Sequence, residues 1–392
     1  NNIMRVLELY SGIGGMHYAL KESEVCHQVV AAVDINTTAN DVYRHNFPST
    51  ALLNKTIEGI TLEEFNQLSF DVILMSPPCQ PFTRIGLQRD VADSRTRSFL
   101  HVVDLLPRLS KAPVFILLEN VKGFEKSAAR EYLLRTLREC GYAVQEMLVS
   151  PTHFGIPNSR LRYYLLAKLS GQKLLWSSAG VPVSVCSPVR QKIPETTVFC
   201  GLQSNPSDRI QEDVVDDNPI RSVQDLQLSL LKATLEAQKK KNQNHNLSVK
   251  QIQDFLEPQE NLNLDQHFLP PKILLRYAQL LDIVRPTCRR SICFTKGYGK
   301  YVEGTGSVLQ CCMDTSVEHV FPRLDQCSEE ERVQKLLELK LRYFTPREVA
   351  NLMGFPPTFS FPESVSTKQQ YRLLGNSLNV VVVAKLLQLL LS

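Results

Sequence analysis

The sequence predicts an α/β fold in which helices alternate with the strands of an open, mostly parallel sheet. Three observations lead to this prediction. Residues 72–75 form an unbroken apolar run, as expected for a central parallel strand that is covered on both faces. A glycine-rich turn follows the first apolar strand, and an acidic residue, Asp34, ends the second. Since open α/β sheets bind ligands at the carboxyl ends of their strands, we expect the functional residues at that edge.

Composition and charge are those of an ordinary soluble globular protein. The 392 residues are 43% hydrophobic and 21% charged, and the net charge of +4 permits a nucleic-acid partner without requiring one. The 10 cysteines include no Cys-x-x-Cys pair, which argues against zinc, and we predict no metal site. Scattered cysteines, no signal-peptide pattern and no apolar run of about 20 residues predict a cytosolic or nuclear protein without a membrane partner.

The first two strands have the pattern of a nucleoside-binding site. A strand over 6–9 enters the glycine-rich turn at 11–15, and a strand over 29–33 ends at Asp34, about 20 residues beyond the turn. An acid at this spacing can hold a ribose diol, or it can cap the helix predicted over 37–46. No Gly-Lys-Ser/Thr follows the turn, and the third glycine of a dinucleotide fingerprint is missing. The pattern therefore favours S-adenosylmethionine over a dinucleotide.

The next predicted elements bring more groups to this edge. A third strand over 51–54 places Ile57 and Glu58 beside Asp34, and Thr61 begins a helix with the Thr-x-x-Glu spacing of a capping box. The fourth strand, 72–75, is followed by a loop that carries Cys79.

Prolines at 77, 78 and 81 stiffen that loop and prevent a strand or helix from continuing. A cysteine often only fills space in a core. Because Cys79 lies in a rigid loop at the carboxyl end of a strand, we interpret it as a nucleophile. The polar stretch 83–97 that follows is long enough for a mobile lid, before a helix over 98–109.

Later strands supply a carboxylate and two arginines. A fifth strand over 114–118 ends at Glu119, whose burial would be costly without a hydrogen-bond partner, so we predict a specific role for it. A helix over 125–140 and strands over 144–149 and 161–169 follow. Arg160 and Arg162 are expected to share one face of the seventh strand, since side chains alternate along a strand.

The remaining chain is less regular. The hydrophobic periodicity fades between residue 170 and about residue 266. Within this region we predict a helix over 223–238 that ends in the lysine run 239–241, and we interpret the lysine run as a solvated face. The segment 285–299 mixes cationic residues with aromatics and glycines, which suits phosphate and base contact but would equally suit a solvated hairpin. Further helices are predicted over 270–281 and 329–341, from Thr345, and at the end of the chain.

Five motifs occur in the order found in the cytosine-5 methyltransferase family and closely resemble it. They are the glycine turn at 11–15, Ser76-Pro77-Pro78-Cys79-Gln80-Pro81, Glu119-Asn120-Val121, Arg160-Leu161-Arg162 and Gly375-Asn376-Ser377. The resemblance implies a Rossmann-like S-adenosylmethionine-dependent methyltransferase fold, with seven mostly parallel strands, an antiparallel last strand and a C-terminal helix that returns to the glycine turn. It also implies three regions: a catalytic and cofactor-binding domain (1–169), a target recognition domain (170–330) with a flexible insertion near 175–265, and C-terminal helices (331–392) that return to the catalytic domain.

The resemblance also implies residue roles. Catalytic roles fall to Cys79, Glu119, Arg160 and Arg162. The positions that match the family's site for S-adenosylmethionine, and for its product S-adenosylhomocysteine, are Ser11, Ile13, Gly14, Gly15, Asp34, Ile35, Ile57, Glu58, Ser76 and Asn376. Substrate contacts are expected at Arg289, Arg290, Cys293, Thr295 and Lys296.

The compact length and the word Cys293-Phe294-Thr295 resemble the small eukaryotic members of the family, which methylate cytosine 38 in the anticodon loop of aspartate tRNA. This implies a monomer that acts on tRNA, with DNA as a weaker partner. Residue spacing alone does not separate RNA from DNA, so a DNA cytosine-5 methyltransferase is the alternative. A catalytically silent nucleic-acid-binding protein on the same scaffold is a further alternative.

Overall fold

The structure is a computed structural model that describes residues 3–78, 96–169, 187–188 and 223–391. Cys79, nearly all of the predicted lid at 83–97, and most of the predicted insertion before residue 223 lie outside the described residues. The outcome of the sequence predictions is therefore given for the described ranges.

A central sheet organises the fold. Its strands are β1 Met4–Leu9, β2 His27–Val33, β3 Leu52–Leu53, β4 Val72–Met75, β5 Phe115–Val121, β6 Tyr142–Val149, β7 Arg162–Leu169 and β8 Ser187–Pro188. They lie in the order β3-β2-β1-β4-β5-β7-β6-β8. Neighbours from β3 to β5 are parallel, and β7 is antiparallel to both β5 and β6. The predicted seven-stranded sheet with an antiparallel last strand is confirmed, and the two-residue β8 adds an eighth strand beside β6.

The helices follow the predicted pattern. They are α1 Gly15–Glu22, α2 Thr37–Asn46, α3 Leu62–Leu68, α4 Arg97–Leu105, α5 Ala128–Glu139, α6 Val223–Asn244, α7 Pro271–Tyr277, α8 Val317–Val320, α9 Glu329–Glu338, α10 Pro346–Leu352, α11 Thr367–Gly375 and α12 Val380–Leu391. The capping box of α3 is confirmed, because Thr61 Oγ1 accepts from the backbone N–H of Glu64 while the Glu64 carboxylate accepts from the backbone N–H of Thr61.

Several helix ends differ from prediction for local reasons. α4 stops at Leu105 instead of residue 109, because Pro107 lies in a separate 3-10 turn and has no N–H to continue the helix. α5 begins at Ala128 instead of residue 125, because the Ser127 side chain caps it by accepting from the backbone N–H of Arg130. α9 ends before 341, since Lys340 has a left-handed φ of 49°.

The two faces of the sheet bury different side chains, as the alternation along the strands requires. Val6, Leu74 and Leu117 belong to a core shared with α1, α12 and the C-terminal region. Ile73 and Ile116 belong to a second core, with α3, α4 and α5, on the other face. Since β4 and β5 are buried on both sides, their continuous apolar runs are explained.

A smaller sheet lies outside the main one. Its strands are β9 Ile283–Val284, β10 Val308–Gln310 and β11 Leu341–Tyr343, in the order β11-β10-β9, with a hydrophobic cluster of their own that includes residues of α7 and α9. The three-region division of the chain stays a prediction. β11 falls beyond residue 331 in sequence yet pairs with β10.

The C-terminal helices return to the start of the chain. α12 packs against α1, and a Cβ placed on Gly15 would lie 3.1 Å from the Leu378 side chain. Among the described residues, the stretch Thr367–Leu391 is long and apolar enough to cross a membrane by length and composition alone. In the structure 61% of its most apolar window is buried inside the protein, as in the core helix of a globular fold.

Candidate active site

The carboxyl ends of β1 and β4 meet at one point beside β5. Register pairs Met75 of β4 with both Leu9 of β1 and Leu118 of β5. The residues that follow, Tyr10, Ser76 and Glu119, are therefore level, although Glu119 lies within β5, which continues to Val121 instead of ending before Glu119 as predicted. Ser76 Oγ donates to the Tyr10 carbonyl at 3.2 Å, which ties two of these ends together. The chain leaves β1 and β4 in opposite directions along the sheet, so this is the switch point at which α/β folds bind ligands.

The glycine turn is held in place by Asp34. The backbone N–H of Gly12 donates to Asp34 Oδ2 at 2.8 Å, and the backbone N–H of Asn36 donates to Asp34 Oδ1 at 2.8 Å. Gly12 and Gly14 have φ values of 52° and 90°, which favour glycine. Asp34 does not cap α2, because that role falls to Asn36, whose side chain accepts from the backbone N–H of Ala39.

A cavity of about 380 Å³ opens beside the turn. Of the predicted cofactor positions, all but Gly14 line it. They are Ser11, Ile13, Gly15, Asp34, Ile35, Ile57, Glu58, Ser76 and Asn376. Gly14 lies outside the lining, and a Cβ there would lie 2.7 Å from the Phe47 ring, so its predicted cofactor contact stays a prediction. Glu119 lines the same cavity, and so does Pro78, the residue before Cys79.

Sequence reasoning missed several lining residues. Some of the missed lining residues lie in the glycine turn or at strand ends, next to predicted cofactor positions. They include Tyr10, Gly12, Asn36, Lys55 and Thr56. Ser98 of α4 and Leu378 come from distant parts of the chain. The Tyr10 hydroxyl lies 2.7 Å from Ser98 Oγ, a contact across 88 residues that no local sequence pattern indicates.

Glu119 is a buried residue of the cavity lining. Its residue exposure is 9%, and its closest ion-pair contact among the described residues is Arg162, with Nε 3.8 Å from Glu119 Oε1. Burial raises the pKa of Glu119, although Arg162 and Arg160 oppose that shift. The carboxyl is therefore biased towards its protonated form.

Arg160 holds together segments that are distant in sequence. Its guanidinium donates to the carbonyls of Phe294 and Gly375, each at 3.0 Å, and to the carbonyl of Ser377. β7 begins at Arg162, so Arg160 precedes the strand instead of lying in it. The two side chains nevertheless lie on one side of the segment, because both guanidinium groups reach Cys293 Sγ. Burial lowers the pKa of the Arg160 guanidinium. Its terminal nitrogens are engaged by backbone carbonyls, so in this structure it positions the surrounding segments.

Cys293 lies between the two arginines. Its sulfur is 3.5 Å from Arg160 Nη1 and 3.6 Å from Arg162 Nη2. Burial disfavours a thiolate there, but the two guanidinium groups outweigh that effect and hold the pKa of Cys293 below its ordinary value. The structure thus brings Glu119, Arg160, Arg162 and Cys293 into one cluster.

The other predicted substrate residues have different environments. Arg290 is 4% exposed, and its Nη2 donates to both carboxylate oxygens of Asp282 at 2.7 and 2.8 Å, so its predicted contact with substrate is wrong. The guanidinium of Arg289 donates to the Val249 carbonyl. Thr295 is partly buried, whereas Lys296 is exposed.

The lysine run 239–241 is not simply a solvated face. Lys240 Nζ lies 3.0 Å from Asp282 Oδ1, the same carboxylate that binds Arg290, and 3.3 Å from Glu236. The predicted solvated face is therefore wrong for Lys240, whose charge helps attach α6 to the small sheet. Within the ranges 3–78, 96–169 and 223–391, no group of three or more His, Cys, Asp or Glu side chains is arranged to hold a metal.

Comparison with known proteins places these features in one family. Residues 4–391 match the family described as C-5 cytosine-specific DNA methylase. The human tRNA (cytosine(38)-C(5))-methyltransferase is 57% identical over 388 residues, which are 99% of each chain. A Dictyostelium discoideum protein named DNA (cytosine-5)-methyltransferase is 38% identical and covers 99% of this chain and 94% of its own. The solved structure of a Spodoptera frugiperda DNMT2 mutant is 37% identical, covers 99% of this chain and 100% of its own, and has a TM-score of 0.75.

Proposed function

The chain belongs to the C-5 cytosine-specific DNA methylase family, and from this premise we propose that it methylates C5 of cytosine 38 in tRNA, with aspartate tRNA as substrate and S-adenosylmethionine as methyl donor. One observation carries the proposal: a single cavity joins the predicted cofactor positions to Glu119 and to Pro78, which precedes the predicted nucleophile Cys79. The human relative's name, at 57% identity over nearly the whole chain, supports tRNA as the substrate.

The residues of the cavity fit S-adenosylmethionine. The Ser11 hydroxyl is buried without a hydrogen-bond partner among the described residues, so it is available to the polar amino-acid part of the cofactor. Asp34 and Glu58 offer carboxylates to ribose hydroxyls and to the adenine amine. Ile35, 62% exposed at the cavity, offers an apolar surface to the adenine ring. When bound, the cofactor supplies a methyl group on a sulfonium and leaves as S-adenosylhomocysteine.

Cytosine C5 is a weak nucleophile, so the ring must be activated first. The Cys79 thiolate adds to C6, which places electron density at C5. Glu119 assists at cytosine N3, to which its carboxyl can donate a proton, and burial shifts the pKa of Glu119 upward, in the direction that favours this role. Arg162 lies close enough to compensate the carboxylate when that proton is given up. After methyl transfer, loss of the C5 proton expels the Cys79 thiolate by elimination.

In this mechanism Arg160 positions the segments beside the site. Its guanidinium binds the carbonyls at 294, 375 and 377, and Ser377 lines the cavity. The charge of Arg160 and that of Arg162 also make the region electropositive, which favours a thiolate near the base. This arrangement supports an enzyme over a silent binding protein, because a scaffold alone gains nothing from a buried acid beside two buried guanidinium groups.

We also propose that the protein acts as a monomer in the cytosol or nucleus, with DNA as a weaker partner than tRNA. Every cysteine whose environment the structure describes is free of disulfides, which supports a reducing compartment.

Parallel methyl-transfer assays on tRNA and on duplex DNA test the proposal. We expect labelled methyl from S-adenosylmethionine to enter tRNA faster than DNA, and a tRNA with uridine at position 38 to remain unlabelled. An anticodon loop is already single-stranded, so exposing its cytosine costs less than flipping one from a duplex. Faster labelling of DNA would favour the DNA methyltransferase alternative, and no labelling of either would favour a silent binding protein.

A further inference from the structure

Tyr301 is an aromatic side chain that the fold leaves in solvent. It is 60% exposed, and among the described side chains it is the one aromatic in the set of exposed large hydrophobic residues. A tyrosine ring left in water loses the stabilisation that burial would give it. Tyr301 has no role in the proposed catalytic mechanism.

The backbone at Tyr301 is hydrogen-bonded on both sides, and the ring packs against a glycine. The backbone N–H of Tyr301 donates to the Gly297 carbonyl at 2.9 Å, and Thr305 Oγ1 donates to the Tyr301 carbonyl at 2.8 Å. A Cβ on Gly297 would lie 2.9 Å from Tyr301 Cδ2, so the ring packs closely against that glycine. Because the side chain is already placed, binding a ligand there costs little further conformational entropy.

The surroundings of the ring are cationic. The exposed Lys300 places its Nζ over the Tyr301 ring, 4.9 Å from the ring centre, and Lys296, five residues before Tyr301, is also exposed. The acidic residue nearby in sequence is Glu303, which is also exposed. An aromatic face flanked by lysines is the combination with which proteins bind single-stranded nucleic acids, where bases stack and phosphates pair with cations.

A short series of contacts connects this ring to the cavity. Asn376 lines the cavity, and a Cβ on its neighbour Gly375 would lie 2.2 Å from the Lys296 backbone nitrogen. Gly297 follows Lys296 directly and contacts the Tyr301 ring. A nucleotide chain that places one base in the cavity therefore has its neighbouring nucleotides within reach of Tyr301.

We propose that the Tyr301 ring is a stacking platform for an unpaired base next to the target cytosine, and that Lys296 and Lys300 contact the flanking phosphates. This inference rests on the proposed function and adds a specificity-determining residue to it. Stacking requires an unpaired base, so the platform favours the open loop of a tRNA over duplex DNA.

The test compares Tyr301→Ala with Tyr301→Phe, which keeps the ring and removes the hydroxyl. We expect Tyr301→Ala to raise the KM for tRNA about 5- to 150-fold, as for loss of one base stack, with kcat changed less. Tyr301→Phe should remain near wild type. Leu280→Ala, which removes a 57% exposed side chain, is the matched control, and unchanged affinity for S-adenosylhomocysteine shows that each variant is folded.

A direct readout uses an anticodon stem-loop RNA with 2-aminopurine beside cytosine 38. Wild type and Tyr301→Phe should quench its fluorescence by stacking, whereas Tyr301→Ala should not. An unchanged KM for Tyr301→Ala, or equal losses for the Ala and Phe variants, would overturn the inference. Failure of the proposed function would look different, because wild type itself would then leave tRNA unmethylated.

Discussion

Replacing Gly375 by alanine tests how closely the C-terminal segment fits the recognition segment. A Cβ at Gly375 would lie 2.2 Å from the backbone N of Lys296 and 2.3 Å from the carbonyl C of Thr295, whereas ordinary contact begins at 3.4 Å. These are backbone atoms, which cannot rotate away, so the two segments must separate by about 1 Å. Overpacking of this kind costs about 1–3 kcal/mol.

Gly375→Ala should reduce the rate of methylation as well as the stability of the fold. The Gly375 carbonyl accepts a hydrogen bond from Arg160 at 3.0 Å, and the adjacent Asn376 lines the cavity. A displacement of about 1 Å moves both groups, and misplacements of that size reduce rates about 10²-fold. We therefore expect kcat for tRNA methylation to fall about 100-fold and the thermal midpoint to fall by a few degrees.

The assay measures methyl transfer under single-turnover conditions together with thermal unfolding. Leu337→Ala, which removes a 40% exposed side chain outside the cavity lining, is the control, and it should stay within about twofold of wild type. If Gly375→Ala kept both the rate and the melting temperature of wild type, the inferred close approach of these segments would be refuted.

Three further predictions concern buried carboxyl groups. Glu119→Gln should reduce the methylation rate about 10²- to 10⁴-fold in single-turnover kinetics without lowering the melting temperature; a full rate with earlier melting would make Glu119 structural. Glu348→Gln should destabilise the fold by about 3–5 kcal/mol in urea unfolding, because it leaves the fully buried Arg342 without its ion-pair partner; a loss below about 1 kcal/mol would contradict this. Burial raises the pKa of Glu8 to about 8, with a hydrogen bond from Tyr43 opposing the shift. A raised folded-state pKa means that the stability contributed by Glu8 is complete below its unfolded value of 4.5 and is lost as pH rises through about 8. Glu8→Gln should flatten the pH dependence of unfolding in that window, and an unchanged slope would exclude Glu8 as its source.

The sequence predicted best where local rules determine structure. The glycine turn, Asp34 and the capping box at Thr61 depend on backbone conformation and short spacing, and the structure confirms the turn and cap and places Asp34 at the cavity. Both ends of β4 were predicted correctly, because a strand covered on both faces must be apolar throughout.

Side-chain partners in the recognition region could not be predicted in this way. Arg290 looked like a phosphate ligand because its sequence neighbours are cationic and aromatic. Its partner Asp282 is fixed only once the chain has folded, and Lys240 joins the same carboxylate from 42 residues away. Cys293 meets Arg160 across 133 residues. Such contacts are set by tertiary packing, which composition and periodicity do not encode.

The central claim is that Cys79 attacks C6 of cytosine 38 in tRNA, and trapping the adduct tests it most directly. A tRNA with 5-fluorocytosine at position 38 has no C5 proton to lose, so elimination is blocked after methyl transfer and the protein should remain covalently attached in denaturing gels. We predict this complex for the wild-type protein with S-adenosylmethionine, and none for Cys79→Ala. A stable complex with Cys79→Ala, or one that wild type forms with 5-fluorocytosine in duplex DNA but not in tRNA, would contradict the account.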